Sequence, residues 1–356
     1  DNNNNDGDNN VELIGTFNVV KPVNYATGNL LHSSQIGAPS RATIFTDDTN
    51  IGTRFQAASM GDYFYTTNEF GAWTTIDGVN LRTIPQWQME STLSASAPFV
   101  SYDYNFGSRQ ARVDQMPLLG FPNFASNFIG DHFYVPAAYP TLTYGVNRTR
   151  TGDQFKIESP NLAQLPLPAL LSDLPDFVVD YTFQSSENTL DANNFFFNGQ
   201  NFYHERNIAL ESFFHSDCSG NDTNPTTEEY EIMLWFDRGP ERAPDRASSL
   251  AGDVTIDGRT YEVWTKDRKG PGYIAFVDKN SATSYQGQVN WSLFVKWVQA
   301  HGHQMKTVFN NPTLFNQPVL QSNYCMSNIL IGNEIWWGSG KFELEQWDIK
   351  AYDSAR

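Results

Sequence analysis

From Val11 onward the chain reads as short runs of alternating apolar and polar residues, cut at intervals by Gly, Pro, Asn and Asp. A period of two is the signature of strands half-buried on a core, and many such runs in one chain predict a β-sandwich or barrel. The clearest runs are Val11 to Val20, Tyr63 to Thr67, Val79 to Ile84, Phe99 to Tyr104, Phe177 to Phe183, Asn207 to Phe214, Tyr230 to Phe236, Tyr261 to Thr265, Tyr273 to Asp278 and Met326 to Ile331. One stretch changes period. Trp291 to His301 places Leu293, Phe294, Trp297 and Val298 at helical spacing, with Gly302 as a stop, and this predicts a single amphipathic helix whose aromatics belong to the core.

Two of the strand-like runs each carry a carboxylate inside an apolar stretch. They are Glu229-Tyr230-Glu231-Ile232-Met233-Leu234-Trp235 and Gly332-Asn333-Glu334-Ile335-Trp336-Trp337-Gly338. Alternation puts Glu231, Met233 and Trp235 on one face of the first run and Glu334 with Trp336 on one face of the second. A carboxylate among aromatic and thioether groups is costly to bury without a partner or a task. Two such acids, each beside an indole, suit a cleft in which sugar rings stack while paired carboxylates cleave between them.

Composition narrows the partner. The chain has 356 residues, enough for one large all-β domain or two smaller ones, with 14% aromatic and only 18% charged residues, below the usual level of about 25% charged. Aromatics set among Asn, Thr, Ser and Gly suit carbohydrate binding. The formal charge of −17 argues against nucleic acid or an anionic membrane as partner, and tilts the substrate towards a neutral glycan. No run reaches the roughly 18 apolar residues of a membrane span. No HExxH, zinc spacing, Walker, Rossmann or G-x-S-x-G pattern stands out, and no metal or cofactor is expected. The two cysteines, Cys218 and Cys325, read either as buried thiols or as one disulfide.

Residues 1–12 read as a polar linker downstream of a removed leader or lipid anchor. They echo a Ca²⁺ loop, but Leu13 stands where that loop needs its last Glu. A secreted or surface-anchored protein, monomeric, is the expectation.

The same runs resemble glycoside hydrolase family 12. Tyr230 to Trp235 followed by Phe236-Asp237-Arg238-Gly239-Pro240 is similar to that family's nucleophile strand and its loop. Ile331 to Trp336, followed by Gly338-Ser339-Gly340 and a closing strand Phe342 to Tyr352, is similar to its acid/base strand and C-terminus. The resemblance begins near residue 55 and runs to about 352. It implies a β-jelly roll of two stacked antiparallel sheets with a concave cleft and one packed helix. Residues 13–54 would be an N-terminal extension packed on a domain spanning 55–356, with insertions at 105–128, 186–205 and 304–322.

The resemblance also implies roles. Glu231 takes the place of the nucleophile and Glu334 that of the acid/base, at the separation of about 5–5.5 Å that a retaining mechanism needs. Asn207 to Phe214 is similar to the strand that offers a third carboxylate; the family's Asp is here Glu211, with Asp180 as the rival candidate. Asn68 matches an Asn of the glycone half of the cleft, Phe70 stands at the family's Trp position there, and Trp73 lies close behind. Tyr144, Met233, Trp235 and Trp336 complete the substrate-binding set, although the His-Trp pair expected after Gly145 is missing. Endo-hydrolysis of a β-1,4-linked glucan is the implied activity. Alternatives are a xyloglucanase, a mixed-linkage glucanase or a hydrolase of a related algal or plant polysaccharide, and, outside enzymes, a non-catalytic carbohydrate-binding sandwich.

Overall fold

Two stacked β-sheets carry the chain in its computed structural model, which describes residues 12–14, 17–19, 29–41, 45–46, 57–67, 75–76, 79–80, 88–106, 138–148, 155–162, 167–187, 195–197, 200–202, 205–216, 218, 228–238, 248–266, 272–279 and 284–353. The strands that build the two layers are β1 (Pro39–Arg41), β2 (Ala57–Met60), β3 (Tyr63–Thr66), β4 (Gln88–Leu93), β5 (Val100–Asn105), β6 (Thr141–Arg148), β7 (Asp176–Glu187) and β8 (Glu205–His215). They continue with β9 (Glu228–Arg238), β10 (Ser248–Ile256), β11 (Arg259–Lys266), β12 (Gly272–Asp278), β13 (Ser284–Asn290), β14 (Asn328–Gly332), β15 (Ile335–Trp337) and β16 (Ser339–Tyr352). The larger sheet runs β10-β11-β12-β9-β8-β14-β6-β3-β2-β1 and the smaller runs β13-β7-β16-β5-β4. This is the all-β jelly roll that the resemblance implied.

The sheets are not wholly antiparallel. After β9 the chain crosses to the edge of the large sheet, returns through the β10–β11 hairpin and lays β12 parallel to β9. A second parallel pairing joins Phe17–Val19 to β13. The expected strand from Val11 to Val20 is two short strands, Glu12–Ile14 and Phe17–Val19, paired antiparallel. Residues ahead of 55 add to both layers, since Leu30–Ser33 pairs with the end of β16 and β1 pairs with β2.

Alternation sorts the side chains of the large sheet. Ile208, Leu210 and Phe214 of β8, with Tyr230, Ile232, Leu234 and Phe236 of β9, join the core between the sheets. There Tyr181, Phe183, Phe236, Tyr285 and Phe342 interlock, with the Tyr181 and Phe236 rings 4.6 Å apart. Most of the described aromatics lie in this layer. The helix α1 (Trp291–His301) has the predicted bounds. Its Phe294 meets Tyr261 and Phe276 edge-on, and its Trp291 indole donates to Ser212 Oγ at 2.9 Å. It therefore packs on the core-side face of the large sheet.

Two covalent or ionic ties hold the strands that matter below. Cys218 and Cys325 form a disulfide with a Cα separation of 5.4 Å, beside the pairing of His215 with Cys325. Arg206 of β8 and Asp237 of β9 form a buried ion pair at 2.7 Å. Of the expected insertions, 304–322 lies wholly within the described residues. Its Gln317 accepts from the Tyr273 amide and donates to the Lys266 carbonyl, both at 2.8 Å, closing the ends of β12 and β11.

Candidate active site

The odd-numbered residues of β8 and β9 face away from the core, and three glutamates come from this face or its margin. Glu231 stands on β9, opposite Phe213, and Glu211 on β8 stands opposite Met233. They are diagonal neighbours on adjacent strands, close enough for long side chains to interact. Glu211 is 1% and Glu231 7% exposed, so neither is the solvent-facing carboxylate of an edge strand.

Glu334 arrives on the other side of β8. It follows Gly332 and Asn333, where β14 gives way to β15. Asn207 of β8 clasps it with backbone and side chain together. The Asn207 amide N–H donates to the Glu334 carbonyl at 3.0 Å, Asn207 Oδ1 accepts from the Glu334 amide at 3.1 Å, and Asn207 Nδ2 donates to Glu334 Oε2. This clasp fixes both the backbone and the carboxylate of Glu334. Next to Asn207 in the chain, Arg206 ties β8 to β9 through its ion pair with Asp237.

Tyr139 joins the three acids. Ala138 bridges Ile335 and the Asn333 amide donates to the Pro140 carbonyl, which places Tyr139 opposite Glu334. Its ring lies across Gly332, where an added Cβ would come within 2.2 Å of Tyr139 Cε2. From there its hydroxyl donates to Glu211 Oε2 at 2.5 Å. Burial first, and then the negative fields of Glu211, Glu334 and Glu231, push the phenol well above its ordinary value. Tyr139 therefore stays protonated and donates throughout any ordinary working range. The sequence reading passed over Tyr139 and Asn207. The glycine two residues before Glu334 was the available signal, because a glycine within a strand marks a close approach.

The other candidates divide. Asp180 lies on β7 of the smaller sheet, where it pairs with Lys350 and accepts from Gln288. It belongs to the opposite layer, and Glu211 is the carboxylate beside Glu231. Tyr144 is a correction: it points into the core, fully buried and 5.8 Å edge-on from Tyr63, because it shares a face with Leu142 in the core cluster. Trp336, at 3% exposure, also joins the core cluster rather than a sugar-stacking surface. Met233 and Trp235 do share the face of Glu231 in a second apolar cluster. At 2% and 1% exposure, however, they offer no open surface for a sugar ring. Asn68, Phe70 and Trp73 lie outside the described residues. Among the described residues no group of three or more His, Cys, Asp or Glu is arranged to hold a metal ion, and no helix is long and apolar enough to cross a membrane.

Several solved structures share the architecture. A family 12 xyloglucanase from Bacillus licheniformis is 15% identical, with 90% of this chain and 100% of that one covered at a TM-score of 0.53. A metagenome-derived family 12 endoglucanase is 14% identical, covering 87% and 98% at 0.53. An endoglucanase from Rhodothermus marinus is 15% identical, covering 89% and 100% at 0.51. At such identities the likeness is one of fold. The sequence itself supplies the closer link, for the profile of glycosyl hydrolase family 12 matches residues 150–351, a span that holds all three glutamates, and the chain belongs to that family of glycoside hydrolases.

Proposed function

We propose that the protein is a retaining endo-hydrolase of β-1,4 linkages in a neutral β-glucan. The observation that carries this reading is the gathering of three glutamates about Tyr139: its hydroxyl donates to Glu211, its backbone lies opposite Glu334, and Glu231 stands diagonal to Glu211 on the next strand. Glu231 acts as nucleophile at the anomeric carbon while Glu334 protonates the departing glycosidic oxygen. Water then attacks the glycosyl-enzyme, giving a proton to Glu334 and releasing Glu231. The Asn207 clasp holds Glu334 in one orientation through both half-reactions. Glu211, held by Tyr139, sits diagonal to the nucleophile and adds its negative charge beside it.

The formal charge of −17 favours a neutral chain over sulfated or uronic-acid polymers. The Cys218–Cys325 disulfide suits an oxidising compartment and supports a secreted or surface-anchored protein. Membership of a hydrolase family removes the non-catalytic module as a rival. A xyloglucan or mixed-linkage glucan is the second substrate reading, favoured by Phe70 standing where the family commonly has Trp.

Reducing-sugar release across a panel of neutral β-glucans, with Glu231→Gln as control, tests the substrate class. Proton NMR of the fresh product tests the stereochemistry. The β-anomer is expected first, and initial α-product would mean inversion and overturn the assigned roles.

A further inference from the structure

Met233 and Trp235 share the face of Glu231 but are too buried to receive a sugar ring. The open aromatic on the same cluster is Trp264, which packs against it while remaining partly exposed. Trp264 lies on β11 in one row with Ala275 of β12 and Met233 of β9, because Trp264 pairs with Ala275 and Ala275 with Met233. Its strand is two spacings from that of Glu231, about 10 Å across the sheet. That span exceeds one sugar ring, so Trp264 addresses a ring beyond the one bonded to Glu231.

The indole is also held in plane. Glu262 stands two residues earlier on the same face and accepts the Trp264 Nε1–H at 3.0 Å. On the far side Leu250 of β10 is directly opposite Trp264 and 45% exposed, which continues the apolar strip outward. A flat, fixed indole with an apolar border on the sheet face that carries the glutamates is what the apolar face of a pyranose needs.

We propose that Trp264, pinned by Glu262, is a stacking platform for a neutral sugar ring of the substrate and sets the enzyme's preference for longer chains. This inference rests on the glucan-hydrolase reading above. It differs from the expectation placed on Trp235, which is buried in the apolar cluster against which Trp264 packs.

The test compares a ladder of β-1,4-gluco-oligosaccharides with a short aryl β-glycoside. Trp264→Leu keeps apolar bulk over the cluster and removes the ring, whereas Trp264→Phe keeps a ring. For Trp264→Leu, kcat/KM on the longest oligosaccharide should fall roughly five- to tenfold further than on the aryl glycoside, the size of one aromatic contact. Trp264→Phe should recover most of that difference, and Glu262→Gln should lie between. Unfolding temperatures within a few degrees of wild type identify variants whose kinetics are read. An equal loss on long and short substrates, or a length preference unchanged in Trp264→Leu, overturns the platform while leaving the hydrolase reading intact. A wild-type enzyme that cleaves no glucan in the panel overturns both, and is a different result.

Discussion

Replacing Tyr139 with Phe removes one hydroxyl and keeps the ring that lies across Gly332. The lost contact is the 2.5 Å hydrogen bond to Glu211 Oε2. A hydrogen bond to a charged group contributes about 1.5–3 kcal/mol. If the whole of it is felt in the transition state, kcat/KM falls about 10- to 150-fold, since 1.36 kcal/mol is a factor of ten. The pH dependence has a definite sign. The Tyr139 phenol is raised by burial and by its acidic neighbours, so it is a neutral donor at every working pH and favours the ionised form of the carboxylate it touches. Without that donor the ionised form of Glu211 loses its hydrogen bond, and the acidic limb of the kcat/KM profile should move upward. KM should change little, because Tyr139 acts through Glu211. The assay is a pH series of kcat and KM for Tyr139→Phe, Glu211→Gln and the double variant. Residues acting through one bond are non-additive, so the double variant should lose little more than the worse single one. An unmoved acidic limb, or losses that multiply, would refute the coupling.

Glu231→Ala should abolish turnover of every substrate, whereas Glu334→Ala should largely spare glycosides with good leaving groups, which need little protonation; equal loss on both types in both variants would contradict the roles. Gly332→Ala would drive a Cβ into the Tyr139 ring and should lower kcat at least as far as Tyr139→Phe does, with the same shift of the acidic limb. Asp237→Ala leaves Arg206 buried without its ion-pair partner and should cost about 3–5 kcal/mol in urea unfolding; a change under 1 kcal/mol would show that the site's support is elsewhere. Cys218→Ser opens a 107-residue closure and should lower stability by about 2–4 kcal/mol with kcat little changed on the stable fraction.

The all-β class and the helix at Trp291–His301 were legible in the chain, because each is a local pattern, a period of two or a period of 3.6. Glu231 and Glu334 stood out as carboxylates within apolar runs, although Glu334 sits between β14 and β15 rather than in a strand. Strand alternation fixed which residues share a face but could not say which face meets the other sheet. Tyr144 and Trp336 look the same from sequence as residues that line a cleft. Only the stacking of two layers sent them into the core, where burying aromatic area is favourable wherever the ring began. Glu211 and Asp180 are alike in this respect, since both are carboxylates in apolar strands, and only the folding of β7 and β8 into different sheets separates them, leaving Glu211 on the strand beside Glu231. Tyr139 and Asn207 were least legible. Their contacts join residues 72 and 127 apart in sequence, and neither partner's local surroundings encode a pairing that exists only once β6, β14 and β8 lie side by side. The sequence by itself determined the chemistry available to this protein. The sandwich decided which of those groups meet, because register and layer order are properties of strands brought together.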